Sequence, residues 1–346
     1  MALTTLALIG FAFSLDLLIG EPRTALHPVA WFGRLVDAVD REWADTDRGQ
    51  RLIGVAIAAV LPLVPAAVAA GAVLAASRWI ALLGAVVAGV VLFLTTSLRS
   101  LLELTEEVVT ATGDDLETAH ERIRGLVGRE TSTLSPAEVR SGALESAAEN
   151  LSDGLIATML PFAVLAPISL PLAAGAAAWI KGVNTLDSML GYPSKPIGTA
   201  SARLDDLVMW IPARVTAASI AGAAANPTAL RCARTWAREP ASPNSGWPMA
   251  TLACVLSVRL SKRGEYVLNP DADLPSVSDG DRAVTLVGMA AAVSVLIAAV
   301  LSVGVATVGT PPATAVVTSA SEVLIRTIAA GLERAVVTNW PVVGER

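Results

Sequence analysis

Carboxylates spaced by helical turns dominate one polar stretch of the chain, SPAEVRSGALESAAENLSDG, where Glu145 and Glu149 are four residues apart and Asp153 four further on. A continuous helix puts all three on one face. Like charges at that spacing repel by about 0.2–0.5 kcal/mol per pair, which invites a compensating cation. Magnesium bridging to phosphate oxygens suits such a set, so Glu145, Glu149 and Asp153 are candidate metal ligands. A solvated acidic face is the plain alternative on spacing alone. Against it, the face runs directly into the apolar segment 155–180, so its end is expected to be partly desolvated. Ser135, Pro136 and Glu138 supply a capping box with Pro at the first helical position, which predicts a helix start there.

Three further polar segments carry reactive side chains. The first, DLLIGEPRTALHPVAWFGR, carries Asp16 and presents Glu21, His27 and Arg34 just beyond an apolar run, with Pro22 and Pro28 holding the residues before them extended. Asp16 lies inside the apolar run, where a carboxylate faces a cavity or a partner more readily than lipid. Another, KGVNTLDSMLGYPSKPIGTASARLDDLVMWIPARV, holds Lys181, Asn184, Asp187, Tyr192, Arg203, Asp205, Asp206 and Arg214. Mixed cations and carboxylates of this kind make either a structural ion-pair network or a metal-assisted phosphate site. The last, ASPNSGWPMATL, places Asn244 and Trp247 at a Pro-flanked turn, Trp247 being an interfacial anchor or a stacking surface for a planar ligand.

The elements that must position these loops are membrane helices. Of the 346 residues 53% are hydrophobic and 16% charged, and the mean hydropathy is +0.60; this is too apolar for an ordinary soluble chain. About 20 apolar residues cross a bilayer as a helix. Residues 52–76, 79–98 and 283–306 each qualify, and residues 1–20 form a span interrupted only by Asp16, read as an uncleaved first helix. The run 155–180 is long enough to cross, but Pro161, Pro167 and Pro171 break it. A re-entrant pair of half-helices competes with a simple span, since irregular backbone survives at that depth only when covered. Residues 207–225 carry Arg214 and are not counted as a span. The expected fold is therefore an all-α polytopic membrane protein in one domain, with about four transmembrane helices, a Pro-broken 155–180 segment and helical loops.

If 155–180 dips in and returns, the loops 21–51, 99–154 and 181–282 share one face and hold 21 of the 25 basic residues. That face is expected to be cytoplasmic, in a cell-membrane location. A weak helix around 315–334 has no assignable depth. A net charge of −6 without a basic stripe argues against a nucleic-acid partner. Cys232 and Cys254 have no paired motif and no neighbouring His, so neither a zinc site nor a disulfide framework is expected, and both are read as packing residues. The chain has no Walker loop and no Ser-His-Asp arrangement. On residues alone the reading is a membrane enzyme or transporter with a carboxylate- and Arg-rich site.

In order along residues 10 to 310, the segments GEPRTALHPVAWFGR, GRETSTLS with ALESAAENLSDG, VNTLDSMLGYPS with ARLDDLVMWIPAR, and SPNSGWP resemble the successive motifs of the adenosylcobinamide-phosphate synthase family of cobalamin biosynthesis. Glu21 stands where that family usually has Asp. The resemblance implies a C–N ligase that joins aminopropanol, or its O-phosphate, to the free carboxylate of adenosylcobyric acid, a corrinoid, using ATP and magnesium. Fitted to that reaction, Glu145, Glu149 and Asp153 with Asp205 or Asp206 hold the metal. Arg129, Arg203, Arg214 and Lys181 meet phosphates, and His27, Glu21 and Asp16 are the catalytic candidates. Arg34, Asn150, Asn184, Asp187, Tyr192, Asn244 and Trp247 meet substrate. The rival reading is a transporter or sensor on the same scaffold, which should spread its polar residues toward the membrane midplane.

Overall fold

The computed structural model describes residues 2–22, 24–127 and 131–308; Arg129 and the weak helix around 315–334 lie outside them. The described chain is helical apart from one short hairpin. Helix α1 (Ala2–Ile19) leads to α2 (Pro28–Val39), α3 (Asp47–Val60), α4 (Leu63–Trp79), α5 (Ala81–Leu94), α6 (Leu98–Asp114) and α7 (Leu116–Arg122). Next come α8 (Pro136–Leu151), a π-helical turn at Ser152–Ile156, α9 (Ala157–Leu165), α10 (Leu170–Leu190), α11 (Thr199–Val208) and α12 (Trp210–Ala223). Helices α13 (Ala229–Trp236) and α14 (Gly246–Leu256), strands β1 (Leu260–Lys262) and β2 (Tyr266–Leu268), and α15 (Val277–Val308) complete it.

Four helical stretches are long and apolar enough to cross a membrane: Ala2–Ile19, Asp47–Trp79, Ala81–Asp114 and Val277–Val308. They overlap the four candidate runs 1–20, 52–76, 79–98 and 283–306. The second is broken at Leu61–Pro62 between α3 and α4, and the third at Thr95–Ser97 between α5 and α6. The capping box is present at α8: the Ser135 side chain accepts from the Glu138 N–H, and Glu138 accepts from the Ser135 N–H.

The 155–180 segment folds back on itself. Helices α9 and α10 pack against each other across the turn at 166–169, and at the far end Asn184 Nδ2 donates to Asp153 Oδ2 at 3.0 Å. The two arms therefore rejoin where they began, as a re-entrant hairpin requires. Small residues seat it. Gly175 of α10 faces Ala66 and Ala70 of α4, and Gly182 faces Pro62 and Pro65, each so close that an added Cβ would touch the neighbouring backbone or side chain. Close backbone approach of this kind supplies the dispersion contacts that hold helices together in an apolar medium.

Two large cores result. One joins α1, α4, α5 and the hairpin through Leu8, Val73, Ala88, Leu92, Phe162 and Ala177. The other joins α8, α12, α14 and α15 through Leu144, Leu151, Ile220, Met249, Leu252 and Val287. A small bridge of Ala157, Ile180 and Met209 lies at the mouth of the hairpin. Of the polar residues singled out in the sequence, Glu149, Asp153, Asp205 and Asn244 line one cavity near this mouth.

Candidate functional site

The acidic helix does not continue as a simple α-helix past Leu151. At the π-helical turn the Ala157 N–H donates to the Ser152 carbonyl, one residue further back than in an α-helix, and the Gly154 carbonyl accepts instead from the Ser97 N–H at 2.9 Å. A Cβ on Gly154 would lie 2.5 Å from Ser97 Oγ, so any larger residue there would displace that hydroxyl. Such turns re-aim side chains within a helix and recur at functional sites.

The three predicted acids have different surroundings. Glu145 is buried and held by protein donors, Ser141 Oγ at 2.8 Å and Tyr266 Oη at 2.9 Å. Glu149 and Asp153 instead line a polar cavity of about 30 Å³ with Ser152, Asp205, Ser242 and Asn244. Room for about one water or ion is all such a volume offers.

Helices α10 and α11 bring the other acids in. Burial, then the neighbouring Asp153, Asp187 and Asp206 carboxylates, push Asp205 up to about 8. Burial followed by Asp206 raises Asp187 to about 6. Glu149 and Asp153 are both raised, chiefly by burial; the opposing influences are Lys262 on Glu149 and, on Asp153, the Asn184 hydrogen bond and Lys181. Three atoms here, Ser152 Oγ, Asp187 Oδ1 and Asp205 Oδ1, are buried without a hydrogen-bond partner. An unpaired buried polar atom costs roughly 1–3 kcal/mol, so the arrangement is one that a ligand relieves.

The loop before α14 closes the cavity. Asn244 is buried, donates to the Asp206 carbonyl at 2.7 Å and accepts from Arg214; Ser242 Oγ donates to Asp206 Oδ1 at 3.4 Å. Arg214 also donates to the carbonyls of Trp210 and Pro243, and its guanidinium lies 4.8 Å from the Trp210 ring centroid and 5.3 Å from that of Trp247. Its fork is thus engaged by protein, and it anchors the closing loop rather than standing open to a phosphate. Trp247 packs on that guanidinium.

The first motif adjoins from the other side. Lys181, on α10 one turn before Asn184, feels both Asp153 and Glu21, and His27 feels both Glu21 and Lys181. Asp16 is buried at 1% exposure and caps α6 from a distance, accepting from the Arg99 N–H at 2.9 Å. Arg34 and Tyr192 are exposed away from the cavity lining, Asn150 donates to Ser146 on its own helix, and Arg203 is an exposed neighbour of Asp206. One reading is overturned: Cys232 and Cys254 form a disulfide, Cα to Cα 6.1 Å, tying α13 to α14. Neither cysteine is merely a packing residue. The sequence also passed over Ser152, Ser242 and Met209, although Ser242 sits within the quoted ASPNSGWP turn.

A family model described as CobD/Cbib protein matches residues 9–296, the whole stretch that builds the cavity. The chain belongs to this family. Among its CobD/Cbib relatives is the cobalamin biosynthesis protein CobD of Geobacter metallireducens, 38% identical over 279 residues, which are 78% of this chain and 85% of that protein. The probable cobalamin biosynthesis protein CobD of Methanothrix thermoacetophila is 32% identical over 300 residues, covering 84% of this chain and 94% of that protein. The cobalamin biosynthesis protein CbiB of Salmonella paratyphi B is 33% identical over 287 residues, 80% and 88% respectively. No solved structure matches the chain.

Proposed function

We propose that this protein acts in cobalamin biosynthesis as an ATP-dependent ligase that joins aminopropanol, or its O-phosphate, to the free carboxylate of adenosylcobyric acid. The observation that carries the reading is the convergence of motifs far apart in sequence: Asp153 with Asn184, Asp206 with Ser242 and Asn244, and Lys181 within the field of Glu21 and Asp153. Reacting groups must come within roughly 3–3.5 Å, so a ligase needs such convergence. A transporter should instead spread its polar residues along a path through the midplane. The family membership and the names of the relatives support the pathway.

Amide formation from a carboxylate needs activation. In the proposed reaction a carboxylate oxygen attacks the terminal phosphorus of ATP and ADP leaves; the amine nitrogen then attacks the acyl phosphate carbon, phosphate leaves, and the amine gives up a proton. Among the described residues no three His, Cys, Asp or Glu side chains converge as a complete cage. The donor set nevertheless fits magnesium, which commonly takes one or two carboxylates and completes its shell with water and phosphate. Asp153 and Asp205 would hold the ion, with Glu149 and Asp187 beside them, and it would offset the charge of the polyphosphate. Asn184 orients Asp153, and Arg214 with Asn244 holds the loop that excludes water from the cavity. In this reading the site faces the cytoplasm, where ATP is available.

The test is purified protein with adenosylcobyric acid, aminopropanol phosphate, ATP and magnesium, followed for amide and ADP. Product that depends on magnesium and is lost in Glu149→Gln is expected. Neither amide nor ADP from folded protein would sink the reading.

A further inference from the structure

His27 caps α2, and the cap fixes its tautomer. The Val29 N–H donates to His27 Nδ1 at 3.2 Å, so Nδ1 offers a lone pair and the neutral ring carries its proton on Nε2. That Nε2 is buried without a hydrogen-bond partner, in a side chain only 9% exposed. Burial depresses the imidazole below its usual 6.5, Glu21 opposing and Lys181 reinforcing the effect, which keeps the ring neutral at pH 7. Lys181 is a second donor, engaged among the described residues by no hydrogen bond or close ion pair, only by the fields of Asp153 and Glu21. It lines an apolar cleft of about 360 Å³ walled by Trp31, Phe32, Val68, Val91 and Ala178; Pro28 and Val29, next in the chain to His27, line the same cleft.

We infer that His27 Nε2–H and Lys181 Nζ together receive the oxygens of a carboxylate borne on an apolar stem, the acyl substrate of the proposed ligation, and that His27 is a neutral hydrogen-bond donor and not the base. The inference rests on the ligase reading for the identity of the carboxylate, and on the cap geometry alone for the tautomer. A carboxylate accepts and cannot donate, so it matches two unfilled donors. Glu21, exposed at the same mouth, then becomes the candidate to take the proton of the amine.

The chain has two histidines, His27 and His120, so ¹⁵N-histidine labelling of the full-length protein in detergent gives two ring systems, assigned with His120→Gln. His27 is expected to show a protonated Nε2 and a bare Nδ1, with the Nε2 proton signal moving on addition of adenosylcobyric acid. A ring protonated on Nδ1 would overturn the inference whether or not the protein is a ligase. Two substitutions then separate cap from donor. Asn at 27 keeps an oxygen for the Val29 N–H but loses the Nε2 donor; Gln keeps a donor near Nε2 and has no basic nitrogen. His27→Asn is expected to leave thermal unfolding unchanged and to weaken adenosylcobyric acid binding, read by equilibrium dialysis, about tenfold or more. His27→Gln should retain binding within a few-fold and measurable turnover with an unshifted pH profile. Wild-type binding and turnover in His27→Asn, or a His27→Gln protein that binds normally yet is inactive at all pH values, would refute the donor role. Absence of any ligation by the wild type would instead defeat the ligase reading.

Discussion

Replacing Asp205 by Asn tests the electrostatic character of the cavity. Asn keeps the shape of the side chain and its reach toward Asn184 while removing one charge from the group formed with Glu149, Asp153 and Asp187. Burial and the neighbouring acids raise Asp205 from an ordinary 3.8 up to about 8. At about 1.4 kcal/mol per pH unit, the upper bound on the resulting cost to folding is about 4 kcal/mol at pH 7. Water in the cavity and sharing of the strain among neighbours reduce this to roughly 1–2 kcal/mol, or about 2–6 °C in unfolding midpoint. The sign follows from the direction of the shift. The folded carboxyl holds its proton more tightly than the unfolded one, so stability is full below about pH 4 and is lost as the pH rises toward about 8. Asp205→Asn without added metal is therefore expected to be more stable than the parent at pH 8, with the gain shrinking toward pH 5, and to lose product formation. Magnesium should stabilise the parent more than the variant. Thermal unfolding in detergent across that pH range measures this; a destabilised variant at pH 8, or a gain independent of pH, would refute the reasoning.

Other substitutions probe the supports of the site. Arg214→Lys keeps the charge but loses the fork that holds Asn244, Pro243 and Trp210, so it should behave like Arg214→Ala, with turnover reduced about tenfold or more; near-normal kinetics would assign the loop no role. A Cβ on Gly54 would lie 2.0 Å from the Ile197 carbonyl oxygen, and Gly54→Ala should cost about 1–3 kcal/mol through overpacking, visible as a lowered unfolding midpoint. Opening the Cys232–Cys254 bridge, whose partners are 22 residues apart, should cost about 3 kcal/mol in the chain-entropy account. Reductant should then lower the midpoint of the parent and leave Cys232→Ser unmoved.

The bilayer-crossing helices were legible because charge-free length is a one-dimensional property, and the α8 start because a capping box is local. The return of the hairpin was half legible: Pro161, Pro167 and Pro171 marked a break, but only the Asn184 to Asp153 bond, across 31 residues, settles that the arms rejoin. What could not be read was set by partners distant in sequence. Glu145 stands outside the cavity lining and is held instead by Tyr266, 121 residues away, which donates to it. Asp153 was turned by a π-helical turn that depends on Ser97 donating to Gly154. Arg214 looked like a free cation until the 243–247 turn folded over it. The disulfide escaped notice because spacing of 22 residues carries no motif; helices α13 and α14 must pack before the sulfurs meet. Disulfides are uncommon in reducing compartments, so the thiol state of this pair in cells also bears on which side of the membrane the loops face.

The central claim is that the mouth of the re-entrant hairpin is where a corrinoid carboxylate is activated and amidated. Its most direct test is a single time course with purified protein, adenosylcobyric acid, aminopropanol phosphate, ATP and magnesium, comparing the parent with Asp153→Asn. The account expects one ADP per amide formed by the parent, and neither product from a variant that unfolds at the parent's midpoint or above it. Equal amide formation by Asp153→Asn, or ADP released by the parent without amide, would contradict it.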